Sequence, residues 1–332
     1  MRTKVAVLHT GGTLGMVPRE PDRALAPDEF GATLLENIPE LADLADVHAR
    51  MLFNIDSSDI GPEQWEILGR VIAETLPHVD GVVVTHGTDA MTYTASALSY
   101  LLRNLPKPVI LTGSQIPLAD ARTDARANVI GAVDLVRHGI AEVAIYFRGV
   151  LLRGNRAVKQ SSFAFGAFQS PNFLPLAEVG TDVRRVGDAL RPVGPFRLEG
   201  RFDPRVAAIR LLPGTAPTAL GCLHTADVRA VLLEAFGCGN VPVAERAVAD
   251  AIRRLTSAGR VVAIGSQPMH GTVDLSTYVG GRLARESGAV GIADMTLDAA
   301  AVKLMYLLGT YGDPQRVARL LTQPLAGEVT PE

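Results

Sequence analysis

Thr13 and Thr88 stand in short runs of small, hydroxylated or charged residues, Thr10-Gly11-Gly12-Thr13 and His86-Gly87-Thr88-Asp89. A threonine hydroxyl is a weak nucleophile and needs a base beside it. Lys159, in Arg153-Gly154-Asn155-Arg156-Ala157-Val158-Lys159, can serve as that base, and Asp89 can hold it in place. Ser57, in Asp56-Ser57-Ser58-Asp59, and Asp89 offer a hydroxyl donor and a carboxylate. Those are the groups that the carboxylate and ammonium of a free amino acid require. Backbone N–H groups of the glycine-rich turn can receive an oxyanion. Spacing alone carries the argument as far as hydroxyl-nucleophile chemistry on a small polar substrate.

Each piece also has a plainer reading. The turn after residue 9 matches neither Gly-x-Gly-x-x-Gly nor Gly-x-x-x-x-Gly-Lys-Ser/Thr, so a phosphate cradle is disfavoured. Thr88 or Asp89 could simply cap a following helix, and Lys159 alone would be a surface lysine. His9 and His86 have no carboxylate or cysteine at ligand spacing, so packing and backbone hydrogen bonds explain them better than a metal does. It is the combination that is informative.

Short apolar runs alternate with longer amphipathic stretches. Strands are expected at Val5–Leu8, Arg50–Ile55, Gly81–Thr85, Pro108–Leu111, Val143–Phe147, Val206–Leu212, Ala230–Ala235 and Arg260–Ile264. Helices are expected at Pro62–Leu76, Ala90–Leu102, Asp124–Val136, Val243–Ala258, Leu297–Leu308 and Pro314–Thr322. In the first of these helices Trp65, Leu68, Ile72 and Leu76 form an apolar stripe, and Pro62 sits near its start. The alternation implies βαβ units and parallel sheets. In such sheets ligands bind beyond the carboxyl ends of the strands, at a switch in strand order. A flavodoxin-like order, 2-1-3-4-5, sets strands one and three side by side, with Thr13 and Thr88 together and Ser57 beside them. Gly187–Pro204 breaks the pattern and reads as a linker. The expected organisation is an N-terminal α/β catalytic domain over 1–186, a linker over 187–204, and a smaller C-terminal α/β domain over 205–332.

The composition narrows the function classes. A chain of 332 residues is long enough for two domains with full cores. Lys and Arg number 32 against 35 Asp and Glu, a net charge of −3, which argues against a basic surface for nucleic acid. The two cysteines, Cys222 and Cys238, cannot build a disulfide framework. The first apolar run, Val5–Leu8, is too short for a signal peptide, and no run reaches the length of a membrane span. No Cys/His cluster has zinc spacing. A cytoplasmic protein is expected.

Taken together, the motifs resemble those of the bacterial-type L-asparaginases, in particular the cytosolic type I branch. Thr10-Gly11-Gly12-Thr13 is similar to the first family signature, and Val84-Thr85-His86-Gly87-Thr88-Asp89-Ala90-Met91 to the second. Asp56-Ser57-Ser58-Asp59, Leu111-Thr112-Gly113-Ser114-Gln115-Ile116-Pro117, Arg153-Gly154-Asn155-Arg156, Phe236-Gly237-Cys238-Gly239-Asn240 and Asp294-Met295-Thr296 follow in order.

The resemblance implies a doubly wound N-terminal domain with a left-handed crossover. It also implies hydrolysis of asparagine to aspartate and ammonia, with no metal or organic cofactor. By position Thr13 is the nucleophile, and Thr88, Asp89 and Lys159 form a second catalytic cluster. Ser57, Ser58, Gly87 and Asp89 bind the substrate, and Asn240 sits where a partner protomer contributes. Self-association as a homodimer or a dimer of dimers is implied, with no nucleic-acid or membrane partner.

Departures are informative. Leu14–Phe30 lacks the tyrosine that many members carry on the loop after the first signature. Tyr306 is the candidate replacement, its alternative being a core tyrosine on the Leu304, Leu307 and Leu308 stripe. Glu234 stands where some members have an effector-site arginine, and Val158 where a threonine is expected. Two further functions compete: an ammonia-releasing amidotransferase component for tRNA-dependent glutamine synthesis, and a non-catalytic amino-acid binding protein. The first carries an extra N-terminal domain, whereas here the core begins at residue 4. The full set Thr13, Thr88, Asp89 and Lys159 argues against the second.

Overall fold

Strands buried on both faces of a parallel sheet read as unbroken apolar runs. Gly81–Thr85, Val109–Thr112 and Val143–Phe147 are such runs, with every residue buried. The computed structural model describes residues 2–17, 20–24, 30–214 and 220–331. It divides into two compact units, Met1–Glu199 and Gly200–Glu332.

In the first unit β1 (Lys4–His9), β2 (Asp46–Met51), β3 (Gly81–Thr85), β4 (Val109–Thr112) and β5 (Val143–Phe147) are parallel in the order β2-β1-β3-β4-β5. This is the flavodoxin-like order. Three antiparallel strands extend the sheet past β5: β6 (Val150–Arg153), β7 (Ala177–Val179) and β8 (Val183–Arg185). The helices of this unit are α1 (Phe30–Asn37), α2 (Pro62–Thr75), α3 (Met91–Leu101) and α4 (Ala125–Val136), with a shorter turn of helix at Leu41–Leu44. Helix α2 starts on Pro62, where a missing N–H costs nothing, and Gln64 reaches back to the Gly61 N–H at 3.1 Å. Its stripe of Trp65, Leu68 and Ile72 is buried.

The second unit is built on a smaller parallel sheet, β9 (Val206–Arg210), β10 (Ala230–Ala235), β11 (Val261–Ser266) and β12 (Val290–Gly291), in that order. Among the described residues its longer helices are α5 (Ala247–Ser257), α6 (Val279–Glu286), α7 (Leu297–Tyr311) and α8 (Pro314–Leu321). Thr296 caps α7 by accepting from the Ala299 N–H, and Asp313 caps α8 by accepting from the Arg316 N–H. Among the described residues no helix is long and apolar enough to cross a membrane.

The sequence reading errs at the second strand, which it sets at Arg50–Ile55. The strand is Asp46–Met51, at the sheet edge. An edge strand packs on one side only, so its sequence alternates. His48 and Arg50 are exposed, whereas Val47, Ala49 and Met51 pack on the core. The continuous apolar run that suggested a strand begins where the ladder is ending. Residues 197–198, inside the stretch read as a linker, pair antiparallel with Leu102–Arg103.

Candidate active site

The ends of β1, β3 and β4 are stitched together by their backbones. Thr10 N–H donates to Thr85 O at 3.0 Å, and His86 N–H to Thr112 O at 2.9 Å. Beyond them the chains approach to a distance only glycine permits. A Cβ on Gly12, whose φ is +86°, would lie 2.5 Å from the Gly87 Cα. A Cβ on Gly87 would lie 2.6 Å from Ser57 Oγ. Any other residue at either site would collide. This three-way contact joins the segments that carry Thr13, Thr88 and Ser57. Thr13 opens a short 3₁₀ turn, Thr13–Gly15, and is half-buried.

Lys159 comes from a two-residue strand, Val158–Lys159, paired antiparallel with Phe168–Gln169. Its Nζ donates to Thr88 Oγ1 at 2.8 Å and to Asp89 Oδ1 at 2.6 Å. The Asp89 side chain is 71% exposed and that of Lys159 only 17%. An ion pair this open adds little stability, so its effect is to aim the amine while leaving the carboxylate accessible. Thr88 and Asp89 do not cap the following helix, which starts at Met91 with Ala90 at the cap position and no side-chain cap. The capping reading is therefore wrong. Ser57 is buried in a 3₁₀ turn, whereas Ser58 is exposed and bonds Asp56 Oδ1 through both N–H and Oγ, at 2.8 and 2.7 Å.

His86 fixes the peptide beneath Thr88. Its Nδ1 lies 2.7 Å from Gly87 O, and a carbonyl can only accept, so Nδ1 carries the proton. Nε2 then accepts from Thr94 Oγ1 at 2.9 Å, and that oxygen accepts from Trp65 Nε1 at 3.0 Å. Burial lowers the His86 pKa to about 4. His9, whose Nδ1 is 2.8 Å from Thr85 Oγ1, is lowered to about 3 by burial and then by the nearby His86. Both histidines are neutral in the folded protein while the unfolded chain titrates near 6.5. Below that value the unfolded state binds more protons. The stability present above pH 6.5 therefore declines as pH falls toward about 4 and then about 3. Urea midpoints are expected to drop between about pH 7 and pH 5, and a level midpoint over that range would contradict this. Among the described residues no group of three or more His, Cys, Asp and Glu could hold a metal ion.

The chain matches the family model described as Asparaginase, N-terminal, over residues 4–190, and the Glutaminase/Asparaginase C-terminal domain over residues 205–321. It is 35% identical to L-asparaginase 1 of Escherichia coli, covering 100% of this chain and 99% of that protein. The chain belongs to the asparaginase family. The solved thermostable L-asparaginase of Thermococcus kodakarensis superposes with a TM-score of 0.91 at 34% identity, over 99% of this chain and all of that one. The solved L-asparaginase I of Vibrio cholerae superposes with a TM-score of 0.90, also at 34% identity, over the whole of both chains.

Two residues that the asparaginase resemblance points to lie in the second unit. Asn240 closes a turn at the end of β10 through reciprocal backbone bonds with Phe236. Its Oδ1 is buried without a hydrogen-bond partner among the described residues. Tyr306 is 2% exposed on α7, edge-to-face with Phe202 at 5.8 Å. Glu234 faces Arg210 on the neighbouring strand, 3.6 Å away. Sequence reasoning missed the groups behind the Thr88 cluster, namely Gln115 and the buried Asp124 and Asn128. Only Gln115 gave a signal, as part of the Thr-Gly-Ser-Gln run.

Proposed function

We propose that this protein hydrolyses the side-chain amide of L-asparagine to L-aspartate and ammonia through an acyl-enzyme. The observation that carries the reading is Lys159 Nζ bonded to both Thr88 Oγ1 and Asp89 Oδ1. That cluster stands where the Gly12 and Gly87 backbones touch. Thr13 Oγ attacks the amide carbon, and its proton passes to the leaving nitrogen. The C–N bond breaks, ammonia departs, and an ester to Thr13 remains. Water then attacks the ester, releases aspartate and restores the Thr13 hydroxyl. Thr88 and Lys159 relay the protons in both halves. Asp89, open to solvent, holds the substrate ammonium. Ser57, with the Gly87 backbone, holds its carboxylate, and Ser58 joins them once its hydroxyl turns from Asp56 to the substrate.

Self-association as a homodimer or dimer of dimers, with Asn240 contributed by a partner protomer, and a cytoplasmic location complete the proposal. A coupled ammonia assay on the purified protein, with asparagine and then glutamine, tests the function. Turnover of asparagine supports it. Release from glutamine alone points to the amidotransferase-type reading, and no release at all to a binding protein.

Tyr306 is the point where two roles part. Its packing against Phe202, and the Gly200 backbone so close that a Cβ there would lie 2.2 Å from the Tyr306 ring, support a core role. Tyr306→Phe is then expected to keep kcat within about threefold and to cost at most about 1 kcal/mol of stability. A fall of about 100-fold in kcat would instead give the phenol the part of the missing loop tyrosine, as a proton relay beside Thr13.

A further inference from the structure

We infer that Gln115 is a positioning residue that sets the direction of the Thr88 hydroxyl, a role that rests on the asparaginase reading above. The two ends of a glutamine amide are chemically distinct, since the nitrogen only donates and the oxygen only accepts. Gln115 Nε2 faces two backbone carbonyls, Ala164 O at 3.2 Å and Ser161 O at 3.4 Å. Turning the amide over would set its oxygen against two acceptors. The orientation is therefore fixed, and Oε1 faces Thr88 Oγ1 at 3.3 Å. Because Oε1 has no proton to give, the Thr88 O–H must donate to it. The Thr88 lone pair is then left for Lys159 Nζ, which donates at 2.8 Å.

The consequence is a hydroxyl with its proton on one side and its amine partner on the other. Hydroxyl-to-oxygen bonds usually span about 2.5–3.0 Å. At 3.3 Å the Thr88 proton is directed toward Gln115 but weakly held. It can leave for a reacting group without the loss of a strong bond, while the short contact to Lys159 keeps the oxygen in place.

Gln115 is itself held from behind. Its N–H donates to both oxygens of Asp124 at 3.0 and 3.1 Å, and the Ile116 N–H to Oδ1 at 3.2 Å. Asn128 Nδ2 binds Asp124 Oδ2 at 3.1 Å and Gly113 O at 3.0 Å. On the far side, Ser161 Oγ closes the 161–164 turn by accepting from the Phe163 and Ala164 N–H groups. The amide thus ties that turn to Thr88.

The test compares the parent with Gln115→Met, which keeps the length and loses the polar atoms, and with Gln115→Glu. Initial rates of ammonia release from asparagine are measured across pH, with melting temperature as the folding control. Gln115→Met is expected to lower kcat by about tenfold with KM within about threefold. Gln115→Glu is expected to be slow near neutral pH, where its carboxylate has no proton for the two carbonyls. On acidification the ratio of its kcat to that of the parent rises toward one. A protonated carboxyl again offers one acceptor and one donor. Among the described residues, the charged groups bonded to Gln115 or to its Thr88 partner's cluster are Lys159, Asp89 and Asp124. A Gln115→Met kcat within twofold of the parent would overturn the inference, as would a Gln115→Glu ratio that stays flat with pH. If Gln115→Met does not fold, the Gln115→Glu ratio decides alone. A folded parent that releases no ammonia would overturn the functional reading itself, which is a different result from an active parent indifferent to residue 115.

Discussion

Thr13→Ala, Thr88→Val and Lys159→Met are each expected to lower kcat on asparagine by about 10³-fold or more. Without Thr13 there is no oxygen to form the ester. Thr88→Val keeps the shape of a buried side chain and removes the hydroxyl that accepts from Lys159 at 2.8 Å. Lys159→Met keeps the stem and removes the amine. Thr88 and Lys159 are one proton path, so their losses do not add. The double variant Thr88→Val/Lys159→Met is expected to be about as slow as either single one. Melting temperatures near that of the parent would show that the fold survives, as expected where Asp89 is 71% exposed and its ion pair adds little. Most of kcat retained by folded Thr13→Ala or Thr88→Val would remove these residues from the mechanism.

What the sequence discloses about this site is what local chemistry can encode. The turns that carry Thr13, Ser57 and Thr88 sit directly after apolar runs, and a parallel sheet places such turns at one end. The order β2-β1-β3-β4-β5 is the flavodoxin-like one of the two common doubly wound orders that such alternation allows. Less legible are elements with weak or mixed patterns. β8 is mostly exposed and carries two arginines, so nothing in it reads as a buried strand. α6 opens on Val279-Gly280-Gly281-Arg282, a poor start for a helix, and its buried face is Gly280, Gly281 and Ala284. The support behind Thr88 is hidden for a different reason. Gln115 lies 27 residues from Thr88 and 46 from Ser161, and only the folded chain brings them to bonding distance. The same holds for the His86 relay through Thr94 to Trp65, where a residue that looks like part of a helix stripe turns out to use its indole N–H.

Lys303 is the clearest case, because nothing in the sequence marks it and in the fold it is a wholly buried lysine on α7. Lys303→Met or Glu328→Gln alone is expected to destabilise the protein by about 3–5 kcal/mol. Both side chains are 0% exposed, 2.5 Å apart. The Lys303 ammonium also donates to Leu321 O at 2.7 Å and Gln323 O at 2.6 Å. Three donors thus meet three acceptors. Glu328 in turn accepts from the Leu325 and Ala326 N–H groups, at 2.9 and 2.7 Å. Lys303 thus fastens residues 325–328 to α7 and to the carbonyls at the end of α8, and Thr330 adds bonds from its N–H and hydroxyl to Asp294. Removing one partner leaves the other charged, desolvated and unpaired, which costs far more than the pair contributes. The double variant Lys303→Met/Glu328→Gln is therefore expected to recover part of the loss, a coupling that calorimetry on the four proteins measures directly. Arg184 and Glu178 form the contrast, an ion pair with side chains 76% and 46% exposed. Its removal by Arg184→Ala is expected to shift stability by less than about 1 kcal/mol. Single variants at 303 and 328 that also melt within that margin would show that water reaches the buried pair and shares its charge.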